Sequence, residues 1–360
     1  MKKNILVLVV VLLFVISSGC KTNPTTVVDT VVPTAVLSAT ITPTFSITET
    51  ATESGTITDT ATITQTSTIT QTATMTFTNT TAPTCAYAEL VSVTGGTFTQ
   101  TDGTVSFDHT ISTFKIGKYE VTYDLWFTVR TWALNHGYTI VYSGQEGNNG
   151  GQGGDPTSAK YQPVTAMSWR GAMVWCNAYS EMNGLTPCYY TDSSLTTAIK
   201  DSTNETVYDN AVCDWEASGY RLPTEGEWQY VASYKDGTSW LPYDYASGAT
   251  ANVDDATATG LVGWYMANSG DTDHNVGGKN ANALGVYDMA GNAFEYCWDW
   301  YGDYPVIAKV DYRGPNSGTE IVVRGGSFGM SAVPMKVGTR SYSSKNGNAY
   351  WFGFRVAKSN

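Results

Sequence analysis

From Thr56 to Thr80 every even-numbered residue is threonine, and this run divides the chain into a part that can bury a core and a part that cannot. A period of two suits an extended strand, and β-branching favours extended backbone. One face of such a strand is all hydroxyl, no turn residue interrupts the run, and no partner strand is evident in the sequence. Segments so poor in large apolar groups do not offset the entropy of ordering. The reading is a Thr-rich spacer over residues 20–84, which fully extended through the alternating stretch reaches about 80 Å.

The residues before the spacer carry an export signal. Lys2 and Lys3 precede the apolar run Ile5 to Ile16, which is too short to span a bilayer as a mature helix. Ser17-Ser18-Gly19-Cys20 then places small residues before a cysteine. It resembles a bacterial lipobox with serine where leucine is usual, so residues 1–19 read as a signal peptide and Cys20 as the lipidated mature N-terminus. An ordinary secretory signal is the alternative. The expected location is the bacterial cell envelope, with the lipid on Cys20 as membrane anchor.

The formal net charge is −12. A phosphate backbone is recognised by a basic stripe, and none is visible, so nucleic acid is not an expected partner. Five cysteines follow Cys20, an odd count that leaves at least one unpaired in an oxidising compartment. Cys188 and Cys213 lie in strand-like segments joined by a polar loop, and a hairpin there would allow a disulfide. Cys176 falls on the apolar face of a helix.

Residues 85–360 read as one globular domain rich in Gly, Trp and Tyr. Val91–Phe98 and Phe114–Val121 have strand patterns. Thr122 caps a helix ending near Gly137, and Ser168 caps a second that Gly184 stops. Thr224-Glu225-Gly226-Glu227 is a capping box opening a third, which gives Glu227 a structural explanation. The fold class is α+β and loop-heavy, preceded by an unstructured stalk.

Seven motifs occur in order: Gly95-Gly96-Thr97-Phe98, FKIGKYEVT from Phe114, PVTAMSW from Pro163, GYRLPTEGEWQY from Gly219, NALGVYDMAGNAFEY from Asn282, RGGSF from Arg324 and GFRVA from Gly353. Together they resemble the formylglycine-generating enzyme, or sulfatase-modifying factor, family, whose core is C-type-lectin-like. Active members carry two cysteines five residues apart after the Gly-Gly-Ser motif, bind Cu(I) there and oxidise a substrate cysteine with O₂. Here the matching positions are Met330 and Met335, with Ser327 at the family's serine. A neutral thioether is a weaker ligand than a thiolate, so copper is not expected. The resemblance also implies a Ca²⁺ loop, with the Asp288 and Glu295 side chains and the Gly291 and Ala293 carbonyls as ligands; hard oxygen donors suit that ion. A Ser hydrolase at Gly325-Gly326-Ser327-Phe328-Gly329 lacks both a following helix and a later histidine.

Three function classes remain. A binding module is favoured by segment 327–352, whose Ser, Gly and Asn surround Phe328, Tyr342, Tyr350 and Trp351, a mixture like that of antibody paratopes. Its ligand would be a protein or a glycan. Diversified surface lipoproteins resemble this layout, as do structural lipoproteins of gliding motility. The enzymatic alternative is an oxidoreductase acting on protein cysteine, or another enzyme on this scaffold.

Overall fold

The computed structural model describes residues 37–48, 62–73 and 86–360. Two compact units result, one containing Pro24–Thr81 and the other Ala82–Asn360. In the first, Thr62–Ala73 is extended, as the β-branched alternation dictates. Its partner is Leu37–Thr48, aligned antiparallel from Leu37 opposite Ala73 to Thr48 opposite Thr62. That pairing was not legible from the Thr run alone. The signal segment, Cys20 and Cys85 lie outside the described residues.

The larger unit is α+β, with five α-helices set among small sheets in its described residues. Helix α1, Tyr123–Leu134, starts where the Thr122 side chain accepts the Leu125 N–H. Helix α2, Trp169–Met182, starts where Ser168 accepts from Gly171. Both caps satisfy a donor that the first turn cannot pair internally. The two helices pack on each other, with Trp126 and Trp175 stacked at 5.9 Å and Phe354 set edge-on against both. Helix α2 is buried on nearly every side, and Cys176 lies in this core as expected. Short helix α3, Glu205–Asp209, follows.

Helix α4, Glu225–Ser233, has the reciprocal capping box expected of it: Thr224 accepts from the Glu227 N–H while Glu227 accepts from the Thr224 N–H. Trp228, Tyr230 and Val231 pack it into a second core with Val93, Phe98, Phe114 and Ile116. Helix α5, Ala256–Val262, is capped by Asp255 and belongs to a third, smaller cluster.

One four-stranded antiparallel sheet runs Tyr220–Arg221, Ala357–Ser359, Phe114–Gly117, Leu90–Val93, joining the two ends of the unit. A second runs Ser341–Ser344, Glu320–Arg324, Phe294–Trp300, Phe352–Gly353, the last pair parallel. A third holds Gly96–Thr101, Ser106–Ile111 and Lys309–Val310. The strand expected over Phe114–Val121 stops at Gly117. Beyond it Glu120 turns into the interior, where its carboxylate accepts from Asn292 and Ala293.

The expected disulfide is corrected. Tyr189–Tyr190 does pair with Val212–Cys213, but the register sets Cys213 opposite Tyr189, not Cys188. Successive residues of a strand face opposite sides, so a one-residue offset separates the two side chains. Cys188 and Cys213 are free, buried thiols, and burial pushes both above the ordinary range.

Candidate functional site

The strand Glu320–Arg324 delivers Gly325 and Gly326, both at positive φ (95° and 78°), into a tight turn. A Cβ on Gly326 would stand 3.0 Å from Met335 Cγ and 3.2 Å from its backbone nitrogen, so glycine is required on two counts. Ser327 follows, buried, and its Oγ has no hydrogen-bond partner among the described residues. Phe328 donates its N–H to the Asn292 carbonyl and its own carbonyl accepts from Ser269. Phe328 is buried, which corrects its expected place on a binding surface.

Met330 and Met335 diverge. Met335 is fully buried with Ala246, Val253, Val262, Tyr265 and Ala290. Met330 packs instead against the core of α1 and α2. The two thioethers are parts of separate apolar clusters.

Tyr342 and Tyr350 are exposed, at 56% and 46% of their full surface. Tyr342 sits on the edge strand Ser341–Ser344 with its ring 5.0 Å from that of Tyr301. Tyr350 lies 4.7 Å from Trp351, which is half-buried and packed on the α1–α2 core. Of the four aromatics expected to bind ligand, two face solvent, Trp351 is partly committed to packing, and Phe328 is interior.

The loop expected to hold calcium is a strained turn, with Asp288 (φ 57°), Gly291 (77°) and Asn292 (62°) all left-handed. Asp288 is buried and accepts from the Gly277 N–H; burial pushes its carboxyl up to about 6. Glu295 is clasped by Arg355, whose Nε and Nη2 each lie 2.6 Å from a carboxylate oxygen, and its Oε2 also accepts from Trp228 at 2.9 Å. Nearby Glu120, also buried, is pushed well up by burial and by Asp288 and Glu295. Three interior carboxylates thus face one guanidinium, an excess of negative charge that a cation would offset. Glu295 Oε1 takes a single hydrogen bond and keeps a lone pair for a metal. Among the described residues no three His, Cys, Asp or Glu converge as metal ligands. A Ca²⁺ ion here would rest on Asp288, Glu295 and the Gly291 and Ala293 carbonyls, and the donor set fits.

Other buried polar groups pair away from this loop, among them Glu227, for which the sequence already offered a structural role. Arg221 grips Glu227 through two bonds of 2.7 and 2.6 Å, and Arg340 grips Glu225 through two of 2.7 and 2.8 Å. Both pairs fasten the start of α4. His109 is buried, with Nδ1 2.6 Å from Gln100 Oε1 and Nε2 accepting the Tyr312 N–H. That pairing fixes the neutral Nδ1–H tautomer, and burial lowers its pKa to about 4. A cleft of about 260 Å³ opens beside Trp215, whose ring is stacked by Arg313 and Arg221 at 3.9 and 4.9 Å.

Residues 76–360 match the family model described as the sulfatase-modifying factor enzyme 1-like domain. The chain is similar to the chaperone protein LppX of Paenibacillus barcinonensis, 28% identical over 78% of this chain and 93% of that protein. It also resembles the formylglycine-generating enzyme of Thermomonospora curvata, 28% identical over 44% of this chain and 57% of the enzyme. Among solved structures, the Treponema denticola variable protein 1 superposes with a TM-score of 0.60 at 28% identity, over 75% of this chain and 95% of that one. CarF superposes with a TM-score of 0.61 at 25% identity, covering 76% and 98%.

Proposed function

The chain belongs to the sulfatase-modifying factor enzyme 1-like family, and from that premise we propose that it is a protein-binding module held at the bacterial cell envelope by a lipid on Cys20. The observation that carries this reading is the split between the family's catalytic positions and its C-terminal surface. Where active members place two thiolates, this chain has two thioethers in separate apolar clusters. On the segment that follows, Tyr342 and Tyr350 stand exposed beside Tyr301 and Trp351. Aromatic rings with few rotatable bonds give large contact area at low entropic cost. A protein ligand is preferred to a glycan because a relative spanned over most of its length bears the name chaperone.

Ca²⁺ at Asp288 and Glu295 belongs to this reading as a structural ion. It would brace the turn that carries Asn292, to which the Phe328 N–H is bonded.

The test uses the full chain in cells with intact lipoprotein processing. The wild type is expected in the detergent phase and Cys20→Ala in the aqueous phase. Peptides selected from a displayed random library on the wild type should bind Tyr342→Ala/Tyr350→Ala at least tenfold more weakly, with unchanged Tm. Undiminished binding by the double variant would sink the surface assignment, and detergent partitioning of Cys20→Ala would sink the anchor.

A further inference from the structure

The ribbon formed by Leu37–Thr48 and Thr62–Ala73 is a sheet of two strands, with no third strand beside it among the described residues. A two-stranded ribbon by itself is marginal in water, and its outer edges offer unpaired N–H and C=O groups to any further strand. Its two edges are not equivalent.

Pro43 sits in the middle of the first strand, opposite Ser67, and the ladder pairs all 12 positions in one register. Proline has no N–H to give, so a proline inside an unbroken pairing turns its nitrogen to the outer edge. In an antiparallel pair, successive residues alternate between facing the partner and facing outward with their backbone groups. The odd-numbered residues of both strands therefore present their backbone outward. On the first strand that edge is interrupted at Pro43. On the second it runs through Ile63, Gln65, Ser67, Ile69, Gln71 and Ala73 with every N–H in place. No charged residue or proline protects it from a further strand.

Charge selects the direction of a mate. Residues 49–61 join the two strands and hold Glu49, Glu53 and Asp59, so one end of the ribbon is acidic; after Ala73 no charged residue follows until Glu89. A parallel mate of the same sequence would set two acidic ends together. An antiparallel one sets each acidic end against an uncharged one.

We propose that the Thr62–Ala73 edge pairs antiparallel with the same edge of a second copy of this chain, giving a four-stranded sheet with the two Thr62–Ala73 strands at its centre. A two-fold axis at Thr68 sets Ile63 opposite Ala73, Gln65 opposite Gln71 and Ser67 opposite Ile69 of the other copy, so outward-facing residues meet along the whole strand. Both outer edges of that sheet carry Pro43, which stops growth at two chains. Two globular units joined in this way would hold a repeated ligand with bivalent avidity.

Cysteine cross-linking of the full chain in intact cells tests this. Position 68 lies on the axis, where the backbones of a non-hydrogen-bonded pair stand about 4.5 Å apart, within disulfide reach. Oxidation should link Thr68→Cys chains into a dimer joined at position 68. Thr42→Cys, on the first strand opposite Thr68, should stay at the wild-type background. No link in Thr68→Cys, or equal linkage in both variants, overturns the proposal. Sedimentation equilibrium of the purified chain gives a second reading. Ser67→Pro should weaken the dimer about tenfold or more, and Ile41→Pro, on the other edge, should leave it unchanged. A wild type that is monomeric at every concentration, assembly beyond two chains, or equal weakening by the two prolines overturns it as well.

Discussion

At the residue scale, the groups most telling for this molecule are buried and polar, and composition hides them. His109 is an example. Its sequence neighbours form a plain strand, yet the fold brings Gln100 and the Tyr312 N–H to its two nitrogens. The folded pKa of about 4 lies below the ordinary 6.5. As pH falls, the unfolded chain therefore takes up the proton first. Stability contributed by the neutral imidazole is complete above pH 6.5 and is lost as pH falls from 6.5 towards 4, by up to about 3 kcal/mol. Asp288, raised to about 6, acts in the opposite sense, favouring the fold as pH falls over part of the same window. The difference between wild type and His109→Gln isolates the histidine: urea melts should show their stability gap narrowing across that window. A gap independent of pH would contradict the assignment. Glu120 and Arg355 were equally illegible, because each acquires its role only from residues distant in the chain.

At the element scale, legibility follows locality. The starts of α1, α2 and α4 were readable because each cap lies within three residues of the donor it satisfies. Pairings across long loops were not: the partner of the Thr-rich strand was missed, and the Cys188 hairpin was recognised while its register was not. The capping box of α4 makes a graded prediction. Thr224→Ala removes one cap bond and should cost about 1 kcal/mol. Glu227→Ala removes the reciprocal bond and also strands the buried Arg221 guanidinium, so it should cost about 3–5 kcal/mol. Denaturant unfolding measures both. Equal losses would mean that the Arg221–Glu227 pair adds little to the helix start.

At the scale of the whole molecule, seven ordered motifs pointed to the family, and the fold agrees with the resemblance. Motif order could not say which of the retained residues face solvent. Phe328 and Tyr350 are similar in type and lie in one segment, yet one is interior and the other exposed. The account's central claim is that this scaffold has been kept for binding while its copper chemistry has been given up. Cu(I) in active members needs two thiolates, and here Met330 and Met335 belong to different apolar clusters. The direct measurement is mass spectrometry of a cysteine-containing sulfatase peptide incubated with the purified chain, Cu(I), reductant and O₂. The account predicts peptide of unchanged mass. Formylglycine, seen as the aldehyde mass shift above a protein-free control, would contradict it.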